Sequence, residues 1–289
     1  MRFELHQPTS VTDALALAQR LGDDARFLSG GTDIVIQMRR GKINPHHLID
    51  LSQSGLSRHI GEKDGRLHIG AAVTHKQLET SLVFRDELKF VAEAASYVGG
   101  HQVRNVATIG GNLANASPAA DVVPVLLALD AVLLLESASG RREVAVADFL
   151  LGPGKTSRRP DEMLIGVEFS KPPAATGSAF LKHGRRRAME ISVVCIAAML
   201  SVEKGRIVSP RIALGSVAPT TIRSLRAEAY LTGKPPEVSV FAEAARIAAE
   251  DCSPISEVRA SAEYRRDIVA VLVRRALSAC AARATGGEA

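Results

Sequence analysis

Leu28-Ser29-Gly30-Gly31-Thr32-Asp33-Ile34 and Thr108-Ile109-Gly110-Gly111-Asn112 are the two segments of this chain whose residue types suit phosphate. Each sets a glycine pair among small hydroxyl, amide and carboxylate side chains. Glycine has no Cβ, so the main chain can come close to a ligand and take positive φ. Clustered backbone N–H groups then make an anion-binding concavity. Two such segments suggest one long ligand with a pyrophosphate in its middle. In the second, the N–H groups of Gly110, Gly111 and Asn112 are the donor candidates, and Thr108 and Asn112 add side-chain donors. Downstream, Ser117 and the single carboxylate of Asp121 follow, and a carboxylate accepts from a ribose diol. The same residues also fit a tight turn that uses Gly and Asn for geometry alone.

The spacing excludes the commonest nucleotide motifs. Neither pair fits G-x-G-x-x-G, and there is no G-x-x-x-x-G-K-[ST]. Cys195, Cys252 and Cys280 lie far apart without a C-x-x-C, so no iron–sulfur or zinc set is expected, and they read as buried free thiols. His46, His47, His59, His68, His75 and His183 show no metal-ligand spacing, and His101 reads as a surface or helix-terminus residue. No metal ligand and no catalytic acid–base pair is expected on this chain.

The elements that must position these segments mix helix and strand. Ser10 caps a helix whose stripe is Val11, Leu15, Ala18 and Leu21, with Gly22 at its end. A strand over 26–29 enters the first glycine pair, and a short helix over 33–40 follows it. Strands are expected at 47–51, 66–72, 164–169, 191–202 and 211–217, and helices at 87–97, 240–250 and 264–283. Residues 152–162 read as an exposed loop. Pro172-Pro173 marks a domain boundary within 171–177. The order lacks a steady βαβ rhythm, so the fold class is α+β.

Composition bounds the function. With 289 residues and 46% hydrophobic content, the chain can build one or two packed domains. Aromatics at 4% and no Trp argue against base stacking, so no nucleic-acid role is expected. Net charge is +5, mostly scattered. The N-terminus has no apolar signal core and the longest apolar region, 122–135, is too short to span a membrane, so a cytoplasmic location is expected.

Taken together and in this order, the two glycine segments resemble the FAD-binding medium subunit of the molybdenum hydroxylases, the xanthine dehydrogenase and carbon monoxide dehydrogenase type. The run from Thr108 to Asp121 is the most specific part, and Phe3-Glu4-Leu5-His6-Gln7-Pro8 resembles the family's start. The resemblance implies an FAD-binding domain of the PCMH-like type over 1–175, with two subdomains, and a smaller α/β domain over 176–289. It implies that Leu28, Ser29, Gly30, Gly31, Thr32, Asp33 and Ile34, with Thr108, Ile109, Gly110, Gly111 and Asn112, wrap the FAD diphosphate. Ser117 and Asp121 would serve the sugar or ribityl hydroxyls, and Leu164 would pack on a ring. Lys182 to Ile191 is similar to the family's second-domain signature. There Lys182 would approach the polar edge of the flavin, with Glu190 and Ile191 beside it. Ile191, where the carbon monoxide enzymes carry Tyr, resembles the xanthine dehydrogenase branch. Glu190 stands where the family usually has Asp. Arg185–Arg187 reads as a solvated basic loop or as a gate that attracts an anionic acceptor.

The resemblance further implies an oxidoreductase subunit that moves electrons and does not itself turn over the organic substrate. A large molybdenum-cofactor subunit and a small subunit with [2Fe-2S] clusters are the implied partners, in a heterotrimer or its dimer. The implied acceptor is NAD, oxygen, a quinone or another carrier. The alternatives are a stand-alone FAD-dependent reductase of the same fold and a non-catalytic nucleotide-binding module.

Overall fold

A computed structural model describes residues 2–186 and 189–286. The first helix forms as the capping pattern requires. It spans Val11–Leu21, Ser10 Oγ accepts from the Asp13 N–H, and Gly22 closes it at φ +53°. Ala14, Leu15 and Ala18 are buried against a three-stranded parallel sheet. That sheet is ordered Glu4–His6, His47–Asp50, Ala25–Leu28. Parallel neighbours need crossover connections, and the helices Val11–Leu21 and Ile34–Arg39 supply them. The first glycine segment therefore leaves the carboxyl end of a parallel strand and enters a helix, the usual place for a ligand in such sheets.

The second layer is a five-stranded antiparallel sheet ordered Ile60–Lys63, Arg66–Gly70, Met163–Ser170, Val132–Ser137, Gly140–Ala145. Between its second and third strands in sequence come the helices His75–Thr80, Lys89–Ser96, His101–Val106, Ile109–Asn115 and Val122–Ala128. Thr108–Asn112 is thus not a free loop but a cap and the first turn of a helix. Thr108 sits at the N-cap with φ −107° and ψ 155°, and its side chain accepts from the Gly111 N–H. Residues 122–135 divide into helix, turn and strand, with Asp130 in the turn at φ +49°. Pro124 falls in the first helical turn, where its missing N–H costs nothing.

The third sheet, Thr176–His183, Val194–Glu203, Arg206–Gly215, Ile222–Arg223, is antiparallel. Its central strand is buried on both faces. Cys195, Ala197 and Met199 join the core of the preceding layers, while Val194, Ile196, Ala198 and Leu200 face the helices Leu225–Leu231, Val238–Glu250 and Ala262–Ala284. A strand covered on both sides reads as one continuous apolar run, as this one does. Polar ties cross the same seam. Arg211 Nε lies 3.1 Å from Asp130 Oδ2, Arg223 also pairs with Asp130, and the Ser216 N–H donates to Pro118 O at 2.9 Å.

The region 152–162 departs from the exposed loop expected of it. Leu150–Gly152 and Lys155–Thr156 form a small hairpin. Glu162 is buried and receives Arg142 Nε at 2.6 Å and the Arg159 N–H at 2.7 Å. Desolvation raises the Glu162 pKa, but Arg142 and the Arg159 amide outweigh it and hold the carboxyl below its ordinary value. The three cysteines are buried thiols, and burial pushes Cys252 up to about 12. Among the described residues, no helix is long and apolar enough to cross a membrane.

Candidate functional site

The two glycine segments meet. Gly30 lies so close to the chain before the second segment that a Cβ on it would stand 2.0 Å from Val106 O. Gly110 packs as tightly on Ala71, where a Cβ would meet backbone and side chain at 2.8 Å. These two glycines therefore let protein approach protein closely. Gly31 has the other role: its φ of +72° turns the chain between strand and helix. Ser29 Oγ and Thr108 Oγ1 are 3.1 Å apart, and Gln37 Nε2 donates to Asn115 Oδ1 at 2.8 Å.

A cavity of about 700 Å³ opens along this junction. Ser29, Gly30, Gly31, Thr32, Asp33 and Ile34 line it from one side and Thr108, Gly110, Gly111 and Asn112 from the other, with Leu164 also in the wall. Leu28 and Ile109 are not part of the wall, and Ile109 is fully buried in the core.

The two segments offer different donors. The Gly110 N–H donates to Ala71 O, the Gly111 N–H to Thr108 Oγ1 and the Asn112 N–H to Thr108 O. Expected as free phosphate donors, these amides are instead engaged by the fold, because the segment is a capped helix. In the first segment, no hydrogen bond among the described residues uses the main-chain N–H of Gly30, Gly31, Thr32 or Asp33. The open amides are therefore those of the first segment. Asn112 Oδ1 is buried with no protein partner, so the second segment offers an acceptor. Asp33 also lines the cavity, where partial desolvation raises its pKa.

Two wall features were not assigned to the site from the sequence. Arg26, Lys155 and Arg158 bring positive charge to one end, with Arg158 over the Phe27 ring at 5.9 Å. For Lys155 and Arg158 the signal was the basic content of 152–162, which by itself reads as an exposed loop. His75 is fully buried and neither ring nitrogen has a protein partner. Burial first, and Arg104 second, lower its pKa to about 4, so it is neutral near pH 7. No sequence pattern marked it, since a histidine at a helix start is ordinarily exposed.

Ser117, Asp121, Lys182, Glu190 and Ile191 do not line the cavity. Lys182 Nζ donates to Asp121 Oδ2 at 2.7 Å, to Glu190 O at 2.9 Å and to Tyr97 O at 3.3 Å. Ser192 Oγ donates to Asp121 Oδ1 at 2.5 Å. Burial raises the Asp121 pKa, and Lys182 and Ser192 work against it. Asp121 and Lys182, expected on a cofactor's hydroxyls and ring edge, pair with each other in this structure. Ser117 Oγ accepts from the Ala119 N–H at 3.3 Å within a turn. Glu190 pairs with Arg186 at 3.2 Å, and Ile191 is exposed. Arg185 donates to Val258 O at 3.1 Å. Arg187, the third member of the arginine run, lies outside the described residues.

These features fit a dinucleotide. Open amides and basic side chains suit a diphosphate, and the orphaned Asn112 oxygen suits a hydroxyl or amine donor. The volume lies within the roughly 300–1,000 Å³ of small-molecule and cofactor sites.

Comparison with known proteins agrees. Residues 1–172 match the family described as the FAD binding domain in molybdopterin dehydrogenase, and residues 179–280 the CO dehydrogenase flavoprotein C-terminal domain. The chain is 34% identical over 285 residues to the xanthine dehydrogenase FAD-binding subunit of Escherichia coli O157:H7, covering 97% of each. It is 34% identical to the carbon monoxide dehydrogenase medium chain of Hydrogenophaga pseudoflava, covering 98% of each. It superposes on the carbon monoxide dehydrogenase structure from Hydrogenophaga pseudoflava with a TM-score of 0.94 at 35% identity, covering 98% of each chain. For quinoline 2-oxidoreductase from Pseudomonas putida 86 the TM-score is 0.92 at 29% identity, with 98% of each chain covered. The chain therefore belongs to the FAD-binding subunits of the molybdenum-containing dehydrogenases, the family of the xanthine and carbon monoxide dehydrogenase flavoproteins.

Proposed function

We propose that this chain carries electrons within a molybdenum hydroxylase complex. A large molybdenum-cofactor subunit oxidises the organic substrate, and a small iron–sulfur subunit delivers the electrons here. They leave to NAD⁺ or another acceptor, such as oxygen or a quinone. We divide the chain into an FAD-binding domain, 1–175, and a C-terminal domain, 176–289. FAD, when bound, supplies the redox chemistry by accepting electrons singly or in pairs.

The chain's residues hold and tune. The Gly30–Asp33 amides receive the diphosphate, and Arg26, Lys155 and Arg158 offset its charge. Thr108 and Ser29 contribute hydroxyls, Asn112 Oδ1 accepts from a hydroxyl or amine, and Leu164 packs on a ring. Asp33 accepts from a sugar or ribityl hydroxyl, away from the phosphates. The Lys182–Asp121 pair fixes the C-terminal sheet against Tyr97, beside the Val98–Val103 end of the cavity.

The observation that carries this reading is the coexistence of open amides at Gly30–Asp33 and an orphaned acceptor at Asn112 in one cavity. Affinity purification from the native cell tests it. Polypeptides bearing molybdenum and iron–sulfur clusters should co-elute, and the isolated chain should show flavin absorption without turning over any organic substrate. Substrate turnover by the isolated chain, or a chain that elutes alone and colourless, would overturn it.

A further inference from the structure

Three side chains of the parallel sheet meet away from the flavin cavity. Glu4 and His6 are two residues apart on one strand, so they share a face. The parallel register sets Glu4 opposite His47 on the central strand. His6 Nε2 and His47 Nδ1 are 3.1 Å apart. Glu4 Oε1 lies 3.8 Å from His6 Nε2, and Glu4 Oε2 lies 3.6 Å from His47 Nδ1. The histidine side chains are only 15% and 24% exposed, so packing restrains both rings. None of the three residues lines the flavin cavity.

We propose that Glu4, His6 and His47 bind a divalent transition-metal ion of the zinc class, which ties the N-terminal strand to the centre of its sheet. Zinc holds imidazole nitrogens at about 2.0–2.1 Å in tetrahedral geometry, which puts two of them roughly 3.3–3.4 Å apart. The observed pair needs to open by only a few tenths of an ångström. Glu4 supplies the third ligand, and water takes the fourth position. Two imidazoles and one carboxylate favour zinc, nickel or copper over magnesium and calcium, which take oxygen sets. Without metal, one ring nitrogen of the pair donates to the other. Metal binding requires His6 as its Nδ1–H tautomer and His47 as its Nε2–H tautomer, so that both lone pairs face the ion. Sequence spacing hides the site, because 41 residues separate the two histidines. Among the described residues, no other group of His, Cys, Asp and Glu brings three ligand atoms so close.

Calorimetric titration of the untagged full chain with zinc chloride near neutral pH tests the proposal. One equivalent should bind, and zinc but not magnesium should raise the melting temperature. Both His47→Ala and His6→Gln should weaken zinc binding by more than the roughly 10–100-fold typical of losing an outer-shell partner. Glu4→Gln, at an exposed side chain, should weaken it without disturbing the fold, and FAD binding should be unchanged in all three. Absence of zinc binding to the wild-type chain would overturn the proposal. So would zinc affinity that survives Glu4→Gln and His6→Gln unchanged.

Discussion

Ser29 Oγ and Thr108 Oγ1 lie 3.1 Å apart although 79 residues separate them in the chain. The contact marks where the two glycine segments close on each other along the wall of one cavity. One side contributes a parallel strand and a turn with open amides. The other contributes a capped helix whose amides are already engaged.

Gly30 is the point of closest approach in that closure. Gly30→Ala drives a Cβ into Val106 O, a backbone atom that cannot rotate away. Overpacking of this kind costs about 1–3 kcal/mol or more. The variant should melt several degrees below wild type in a calorimetric scan. An unchanged melting temperature would mean that Gly30 and the Val106 backbone do not press together here.

Asn112 gives the opposite signature. Its buried Oδ1 has no partner within the protein, so the fold gains nothing from it. Asn112→Ala should not lower stability, since it removes an unpaired acceptor and a poor helix former, and should weaken FAD binding by up to about tenfold, the equivalent of one hydrogen bond. Flavin fluorescence titration, with melting temperature as the control, separates the two effects.

The buried pair of Lys182 and Asp121 carries the seam between the second and third sheets. Removing one partner leaves an uncompensated buried charge, worth about 3–5 kcal/mol. Lys182→Met should be strongly destabilising in urea unfolding. Lys182→Met with Asp121→Leu should recover much of the loss, because both charges are then gone. Equal loss in the single and double variants would show that the pair is not the stabilising unit.

His75 makes stability depend on pH. Its folded pKa, about 4, lies below the ordinary 6.5, so the unfolded chain takes up the proton first. The stability from this group is fully present above 6.5 and is lost as pH falls through the window down to about 4. At one pKa unit per ~1.4 kcal/mol, the loss totals roughly 3 kcal/mol. Denaturant unfolding between about pH 7 and pH 4.5 should show this slope, and His75→Gln should flatten it.

Local signals made the frame of this fold legible. Ser10 and Gly22 bound the first helix in sequence as in structure. The Thr108 helix was hidden because Gly110, Gly111 and Asn112 are poor helix formers. Packing of Gly110 on Ala71 and the Thr108 cap override that preference. The strand and helix around Gly30-Gly31 were legible, since a strand running into Gly-Gly needs no distant partner to be read. Lys182 and Asp121 were visible as charged residues but not as a pair, because they stand 61 positions apart in the chain. Arg26, Arg158 and His75 gain their roles only when distant elements wall a cavity around them.

Competition at the cradle tests the diphosphate assignment most directly. Apoprotein titrated with FAD should lose the flavin to ADP, which carries the same diphosphate. Riboflavin, which has none, should bind at least about a hundredfold more weakly than FAD, the equivalent of about two charge-assisted hydrogen bonds. Riboflavin affinity equal to that of FAD, with no competition from ADP, would contradict a cofactor held by its diphosphate at the Gly30–Asp33 amides.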